Sequence, residues 1–350
     1  MRGEQRNIKT NLIWILSICI TQIILLLCGC DTSFNLDLKG GGDGEPTEYL
    51  YSIKTIKTDG GGPQVLIESK LALGWPIYSM DGSKIYFVWF NFEEGNCIWE
   101  MDVNGKNRKK LMRGNFQKIS PDGLTLAYIG SADSGVGLWL MTLSNKNKFM
   151  IDTINLFTIT HDFQFSPDGS KIVYVNKDYE IIIFDLSSNS KIKLSRILPL
   201  CLYPHFSPDG NIVVFTAGEE GTRDVYSVDV SSLTLTNVTN SDSDEWTLLY
   251  SPDGSKIVFV KADEDFQDVW YQMDFNGNNQ EGVSYFMIEE GIYSPDGLKV
   301  AYCYNHNLYF CNVDGSNEIC LDESEYDIIG DISFSSDGKE IVYFTGNKLN

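Results

Sequence analysis

The chain has few of the residues that hydrolytic, metal or nucleotide chemistry requires. Among its 350 residues there are only three histidines, His161, His205 and His306. No Ser/His/Asp set, phosphate-binding Gly-rich loop or dinucleotide fingerprint occurs, and no Cys-x-x-Cys pair indicates a zinc site. The sequence therefore predicts no catalytic residue, no metal site and no cofactor, and it predicts that the histidines act singly.

Basic residues are also scarce. The chain has 27 lysines and arginines against 48 aspartates and glutamates, for a net charge of −21. Such a surface repels phosphate backbones, which argues against nucleic acid as a partner. The acidic excess has two explanations that both stay open, which are solubility and a cationic partner.

A short turn phrase occurs seven times, with glycines 41, 46, 41, 44, 43 and 41 residues apart. Serine first, proline second and glycine fourth is typical of a type I turn, and glycine accepts the positive φ that such a hairpin needs. Met80 and Ser336 replace the proline, which weakens those turns without abolishing them. The turns span 79–82, 120–123, 166–169, 207–210, 251–254, 294–297 and 335–338.

The strand after each turn is apolar on both faces, as in Ile172-Val173-Tyr174. Such a strand must be covered on both sides, which blades stacked around an axis provide. A period of about 43 residues is typical of four-stranded blades. Residues 50–53 and 64–67 supply the two strands that the last repeat lacks. We predict an all-β fold, a seven-bladed β-propeller whose last blade is closed by strands from both termini.

These repeats resemble the TolB-like, WD40-like propeller family, which carries the same Ser-Pro-Asp-Gly phrase. The resemblance covers residues 48–350 and implies the fold more strongly than any activity, because the repeated residues are turn and core residues. TolB-like propellers imply a non-catalytic protein-interaction scaffold. A similar class, the oligogalacturonate lyases, holds a divalent metal with a histidine cluster, which implies glycan binding or lyase activity as the alternative.

The amino terminus has the pattern of a targeting segment. Basic residues precede an apolar run of about sixteen residues, shorter than the roughly 20 that a membrane span needs. The run ends in Leu27-Cys28-Gly29-Cys30, which resembles a bacterial lipobox. We predict a signal peptide over 1–29, lipidation at Cys30 and a flexible tether over 30–47. Asp31 resembles an inner-membrane retention signal. We therefore expect the protein to lie at the extracytoplasmic face of the cell membrane, which is the periplasmic face of the inner membrane if the host has two membranes.

The cysteines of the propeller segment form an odd set of five. An exported location permits disulfides, and Cys311 and Cys320 flank one hairpin turn. We predict a Cys311–Cys320 disulfide, with buried thiols as the alternative.

Binding residues are expected at the end of the ring opposite the repeated turns, where the variable loops lie. Exposed aromatics there could stack on sugars or anchor a protein, or they could pack the loops. The partner is expected to be an unidentified envelope protein or a glycan, with the membrane reached through the lipid. The candidate binding face consists of Trp89, Phe90, Phe92, His161, Tyr203, His205, Arg223, Trp246 and Phe266.

Overall fold

The computed structural model describes most of the chain after residue 47 as seven four-stranded antiparallel sheets arranged in a ring. None of the described residues lies in a helix, and the described part contains no helix long and apolar enough to cross a membrane. The described residues are 48–91, 95–132, 135–154, 163–195, 198–219, 221–251, 254–262, 268–282, 291–313, 315–323 and 326–349.

Each of the first six blades runs from an inner strand to an outer strand in chain order. Blade 1 contains β3 (Leu73–Tyr78), β4 (Lys84–Trp89), β5 (Cys97–Asp102) and β6 (Lys109–Arg113). Blade 2 contains β7 (Asn115–Ile119), β8 (Thr125–Ala132), β9 (Gly135–Thr142) and β10 (Lys148–Thr153). Blade 3 contains β11 (Phe163–Phe165), β12 (Lys171–Val175), β13 (Ile181–Asp185) and β14 (Ser190–Lys193).

The remaining blades follow the same order until the last. Blade 4 contains β15 (Leu202–Phe206), β16 (Ile212–Ala217), β17 (Asp224–Asp229) and β18 (Leu235–Asn237). Blade 5 contains β19 (Glu245–Tyr250), β20 (Lys256–Ala262), β21 (Asp268–Asp274) and β22 (Glu281–Gly282). Blade 6 contains β23 (Ile292–Tyr293), β24 (Lys299–Tyr304), β25 (Asn307–Asn312) and β26 (Ile319–Asp322). Blade 7 combines β27 (Ile328–Phe334) and β28 (Glu340–Lys348) with β1 (Tyr49–Lys57) and β2 (Gln64–Ser69).

The repeated turns have the hydrogen bonds that their residues predict. In the third turn the Gly169 amide donates to the Ser166 carbonyl at 2.8 Å, and Gly169 has φ +72°. The Ser166 hydroxyl donates to Asp168 Oδ1 at 2.6 Å, and the same oxygen accepts the Ser170 amide at 2.9 Å. The turn without proline at Ser336 keeps its Gly338-to-Ser335 bond at 2.9 Å. Local side chains therefore hold the turns closed wherever the structure describes their serine and aspartate.

The core lies between the blades, as the two-sided apolar strands predict. Between blades 2 and 3, Ala127 and Leu138 pack with Ile172 and Tyr174, all almost fully buried. The Tyr174 hydroxyl also donates to Asp152 of the preceding blade at 2.8 Å. The apolar face of one blade packs against that of the next, so both sides of these contacts lie within residues 48–350. We therefore expect this segment to fold on its own.

Blade 7 closes the ring with strands from both ends of the folded segment, so the predicted fold is confirmed. β1 pairs with β28 along its whole length, from Tyr49 opposite Lys348 to Lys57 opposite Glu340. At the border with blade 6, the buried Asp322 carboxylate accepts the Tyr343 hydroxyl at 2.6 Å and the Tyr326 hydroxyl at 2.8 Å. The amino-terminal strand is therefore an integral part of the ring.

The repeated turns gather at one end of the ring, which we call the turn end. The space beside Gly169 is bounded by Pro121 of the preceding turn, and Gly210 lies beside Pro167 in the same way. The opposite end, where inner strands begin and where the second and third strands of a blade are joined, is the loop end. This arrangement places the variable loops together, as predicted.

The structure does not contain the predicted Cys311–Cys320 disulfide. The five described cysteines are present as thiols, with Cys311 buried and Cys320 half-buried. Across the β25–β26 pair Cys320 lies opposite Tyr309, two residues from Cys311. Residues related in this diagonal way lie about 7–8 Å apart, beyond the usual reach of a disulfide.

Candidate functional site at the loop end

Five of the inner strands are distorted. The pairing register of β3, β7, β15, β19 and β27 shifts near the middle of each strand. Trp75, Tyr203 and Asp331 take positive φ values of 48°, 55° and 46° at these shifts. Bulges redirect side chains and interrupt pairing, and they are common next to binding sites. They make the mouth of the ring irregular in an otherwise regular fold.

Polar contacts link these bulges across three blades. Asp331 of blade 7 accepts the Trp75 amide of blade 1 at 3.1 Å, and Gln117 Nε2 of blade 2 donates to the Trp75 carbonyl at 2.6 Å. Within the described residues, Oε1 of Gln117 and Oδ1 of Asn115 are buried without a hydrogen-bond partner. These two oxygens can therefore accept hydrogen bonds from a donor group of a ligand.

The aromatic candidates of blade 1 are packed into the protein. The Phe90 ring lies 5.0 Å from that of Trp75, and the Trp89 ring lies 5.2 Å from that of Trp99. Both candidates are half-buried. Phe90 also fills the space beside Gly74, where an added Cβ would lie 3.2 Å from its ring. These aromatics support the loops of blade 1.

A compact polar cluster lies where blades 4 and 5 meet, and we call Arg223, Asp244 and Trp246 the blade 4–5 ledge. Arg223 donates to Asp244 from Nε at 2.8 Å and from Nη2 at 2.6 Å, and its amide donates to the same carboxylate at 3.0 Å. Both side chains are less than one-fifth exposed. The guanidinium carbon lies 5.8 Å from the Trp246 ring, within cation–π range. Planar, bidentate contacts of this kind fix both loops rigidly.

A buried carboxylate supports the ledge from below. Glu245 is fully buried and accepts the Ser241 hydroxyl at 2.8 Å and the Val225 amide at 3.2 Å, together with the Thr239 hydroxyl. Burial raises the pKa of Glu245 despite these hydrogen bonds. Burial also acts to raise the pKa of Asp244, but the hydrogen bonds and charge of Arg223 outweigh it and lower that pKa. The acidic run of residues 242–245 thus braces the loop.

The structure brings together only part of the predicted binding face. Arg223 and Trp246 meet in the ledge, whereas Trp89 and Phe90 belong to blade 1. Tyr203 and His205 lie half-buried on β15. Phe92, His161 and Phe266 lie outside the described residues, as do Cys30 and the whole predicted signal and tether segment.

Asp244, Glu245, Gln117 and Asp331 are the residues of the loop end that sequence reasoning missed. In the sequence, Asp244 and Glu245 are part of an acidic run next to Trp246. This run lacks the spacing of a calcium-binding loop, and nothing in it indicates that Asp244 pairs with Arg223. Gln117 and Asp331 lie in inner strands with no local signal of a bulge. Within the described ranges no group of three or more His, Cys, Asp or Glu side chains is arranged to hold a metal ion.

Charge is distributed unevenly around the ring. Residues 70–195, which form blades 1–3, contain fourteen basic and thirteen acidic residues, for a net charge of +1. Residues 196–350 contain seven basic and 27 acidic residues, for a net charge of −20. The acidic excess therefore belongs almost entirely to blades 4–7, on whose side the ledge lies. A cationic surface is attracted to that side of the ring.

The comparisons with known proteins agree with the architecture. A 108-residue stretch is 31% identical to the Tol-Pal system protein TolB of Gluconobacter oxydans, covering 30% of this chain and 23% of that protein. An uncharacterised protein of Agrobacterium fabrum is 29% identical over 135 residues, which are 38% of this chain and 45% of that protein. The chain thus spans less than half the length of either relative.

Solved structures share the fold at low identity. The oligogalacturonate lyase of Vibrio parahaemolyticus superimposes with a TM-score of 0.60 at 14% identity, over 86% of this chain and 98% of the lyase. This similarity concerns the fold alone. The family model described as the TolB beta propeller domain (PD40) matches residues 158–349, more than half of the chain. The chain therefore belongs to the TolB beta propeller domain family.

Proposed function

We propose that the protein is an extracytoplasmic lipoprotein, anchored through Cys30, whose propeller binds another envelope protein at the blade 4–5 ledge. The observation that carries this proposal is the ledge itself. It presents a half-buried Trp246 ring over a fixed Arg223–Asp244 pair on the acidic side of the ring. Rigid aromatic and arginine side chains at the centre of a patch are typical of residues that dominate protein–protein binding. Residues 196–350, which include the ledge, have a net charge of −20, and this favours a partner with a basic surface.

Site-specific cross-linking in cells tests this proposal. A photo-reactive amino acid replaces Trp246 in one variant and Leu298, an exposed residue of the turn end, in the control. We expect one discrete adduct from position 246 and none from position 298. Equal adducts from both positions, or none from either, contradict binding at the ledge. Saturable binding of an oligosaccharide at the loop end, lost in a Trp246→Ala protein, would favour the glycan-binding alternative.

Lipidation is tested separately. Growth with an alkyne fatty acid labels a lipoprotein covalently, and we expect the label on the full chain and its loss in Cys30→Ala. Cys28→Ala is the matched control and keeps the label. An unlabelled full chain contradicts the anchor without bearing on the ledge.

A further inference from the structure

The outer strands of blades 1–3 differ in charge from those of the other blades. β6, β10 and β14 together contain six basic residues and one acidic residue. The outer strands of blades 4–7, β18, β22, β26 and β2, contain no basic residue and three acidic ones. Three consecutive blades therefore form a basic stretch of the outer rim, which we call the basic rim. Its basic residues are Lys109, Lys110, Arg113, Lys148, Lys191 and Lys193.

Protection of exposed strand edges does not explain this pattern. Lysines on an edge strand discourage pairing with other chains, and short edge strands serve the same purpose. β2 is as long as β10, with six residues each, yet β2 has no lysine and exposes Val65. The basic residues thus follow their position around the ring and not the length of the edge.

The middle of the basic rim also exposes apolar side chains. Phe149 and Met150 on β10 and Ile192 on β14 are each more than one-third exposed. Phe149, Met150 and Phe184 line an open groove of about 530 Å³, beside Lys191. Lys191 pairs with Asp152 and Lys193 pairs with Glu180, and the side chains of both lysines remain about two-fifths exposed. Apolar side chains flanked by lysines are typical of surfaces that insert into the lipid headgroup region.

The position of the chain entry places this surface near a membrane. β1 begins at Tyr49 in blade 7, and blade 7 borders blade 1. If Cys30 is lipidated as proposed, the 18 residues between it and β1 keep the propeller within a short distance of the bilayer. An anionic membrane surface repels blades 4–7, whose net charge is −20, and does not repel blades 1–3, whose net charge is +1. Electrostatics alone then turns the basic rim toward the lipid.

We propose that the outer strands of blades 1–3 dock on an anionic membrane surface, so that the propeller stands on its rim with the acidic blades facing away. Phe149 and Met150 enter the headgroup region, and the flanking lysines contact lipid phosphates. This inference rests on the proposed function only for the membrane anchor. It leaves the loop end open to the side for a protein partner.

Hydrogen exchange on tethered protein tests the orientation. Residues 48–350 with an amino-terminal oligohistidine tag are bound to nickel-chelating vesicles of phosphatidylcholine, with or without phosphatidylglycerol. On the anionic vesicles we expect amide exchange in β10 and β14 to slow several-fold relative to the neutral ones, with no change in β18 and β22. High salt is expected to abolish the slowing on anionic vesicles. The artificial tether replaces the lipid at Cys30, so a failure of lipidation leaves this test unaffected.

Charge-reversal variants supply the control. The triple change Lys148→Glu, Lys191→Glu and Lys193→Glu abolishes the slowing, whereas Lys256→Glu, Lys299→Glu and Lys339→Glu, with the same change in charge, preserve it. Met150→Glu, a single exposed change, weakens the slowing if the triple variant does not fold. Equal exchange on both kinds of vesicle overturns the proposal. Slowing by a soluble acidic peptide but not by vesicles also overturns it, and assigns the rim to an acidic protein.

Discussion

At the scale of single residues, the loop end depends on polar side chains that lie in different blades. Arg223 belongs to the loop before β17, and Asp244 belongs to the loop that enters β19. Their pairing is bidentate and mostly buried. A lysine at position 223 could neither fill both acceptors of Asp244 nor stack on Trp246. The ledge thus depends on the shape of the guanidinium as well as on its charge.

Arg223→Ala is expected to lower the free energy of unfolding by about 1–3 kcal/mol, because Asp244 is left mostly buried without its partner. Arg223→Lys is expected to recover part of that loss. The measurement is urea unfolding of both variants and of Asp244→Ala alone and in combination. A double-mutant cycle with no coupling energy would contradict a stabilising Arg223–Asp244 pair. Leu298→Ala, a change at an exposed residue of the turn end, serves as the control.

The turn aspartates give the protein a defined acid sensitivity. The Ser166 hydroxyl and the Ser170 amide hold the pKa of Asp168 at about 2, below the value of about 3.9 for an unfolded aspartate. A depressed pKa contributes stability above about pH 4, and that stability is lost as the pH falls toward about 2. Asp81, Asp209, Asp296 and Asp337 have lowered pKa values from the equivalent serine hydroxyls.

Asp168→Asn is therefore expected to destabilise the protein at neutral pH and to make little difference near about pH 2, where the wild-type carboxylate is half protonated. Chemical unfolding of both proteins at several pH values measures the difference. If the difference in unfolding free energy between the two proteins stayed constant with pH, the charge of Asp168 would contribute nothing to the turn.

At the scale of elements, local sequence predicted the regular parts and missed the irregular ones. The turn phrase predicted every repeated hairpin, because serine, aspartate and glycine satisfy the turn within five residues. The bulges at Trp75, Tyr203 and Asp331 were not predicted, because positive φ is uncommon for residues other than glycine and opposes the local preference of bulky residues such as Trp75 and Tyr203. Contacts from neighbouring blades, such as Asp331 to the Trp75 amide, stabilise that backbone instead.

Ser336→Pro is expected to raise the free energy of unfolding by about 0.4–1 kcal/mol, because proline restricts the unfolded chain and the matching position holds proline in five of the seven turns. Thermal unfolding followed by circular dichroism measures the change. In the same turn, Gly338→Ala is expected to lower stability by about 1–2 kcal/mol, since Gly338 has φ +70°. A destabilising Ser336→Pro would mean that this turn differs from its proline-containing equivalents.

At the scale of the whole molecule, ring closure and charge distribution are the two determining features. The ring closes through β1, whose Ile53 is fully buried among residues of blades 7 and 1, including Phe87 and Val342. Asp322, Tyr326 and Tyr343 form a buried polar contact at the other border of the same blade, with Lys54 of β1 over the Tyr326 ring. Both borders of blade 7 therefore depend on the amino-terminal strand.

Ile53→Asp is expected to abolish cooperative folding or to cost about 4 kcal/mol or more, because an unpaired charge would be buried at the closure. Val65 lies in the neighbouring strand of the same sheet, and half of its side chain is exposed. Val65→Asp is therefore expected to change stability by less than about 0.5 kcal/mol. Thermal unfolding of the two variants decides the matter. Similar stabilities would show that blade 7 does not hold the ring together.

The sequence alone determined the repeat, the number of blades, the turn chemistry and the closure by both termini. Each of these follows from patterns within about 43 residues or from counting strands at the chain ends. Only the tertiary structure showed which loop-end residues meet, that Arg223 is held by Asp244, and that the basic outer strands lie side by side. Those contacts join residues from different blades, and their geometry depends on how the closed ring sets one blade against the next.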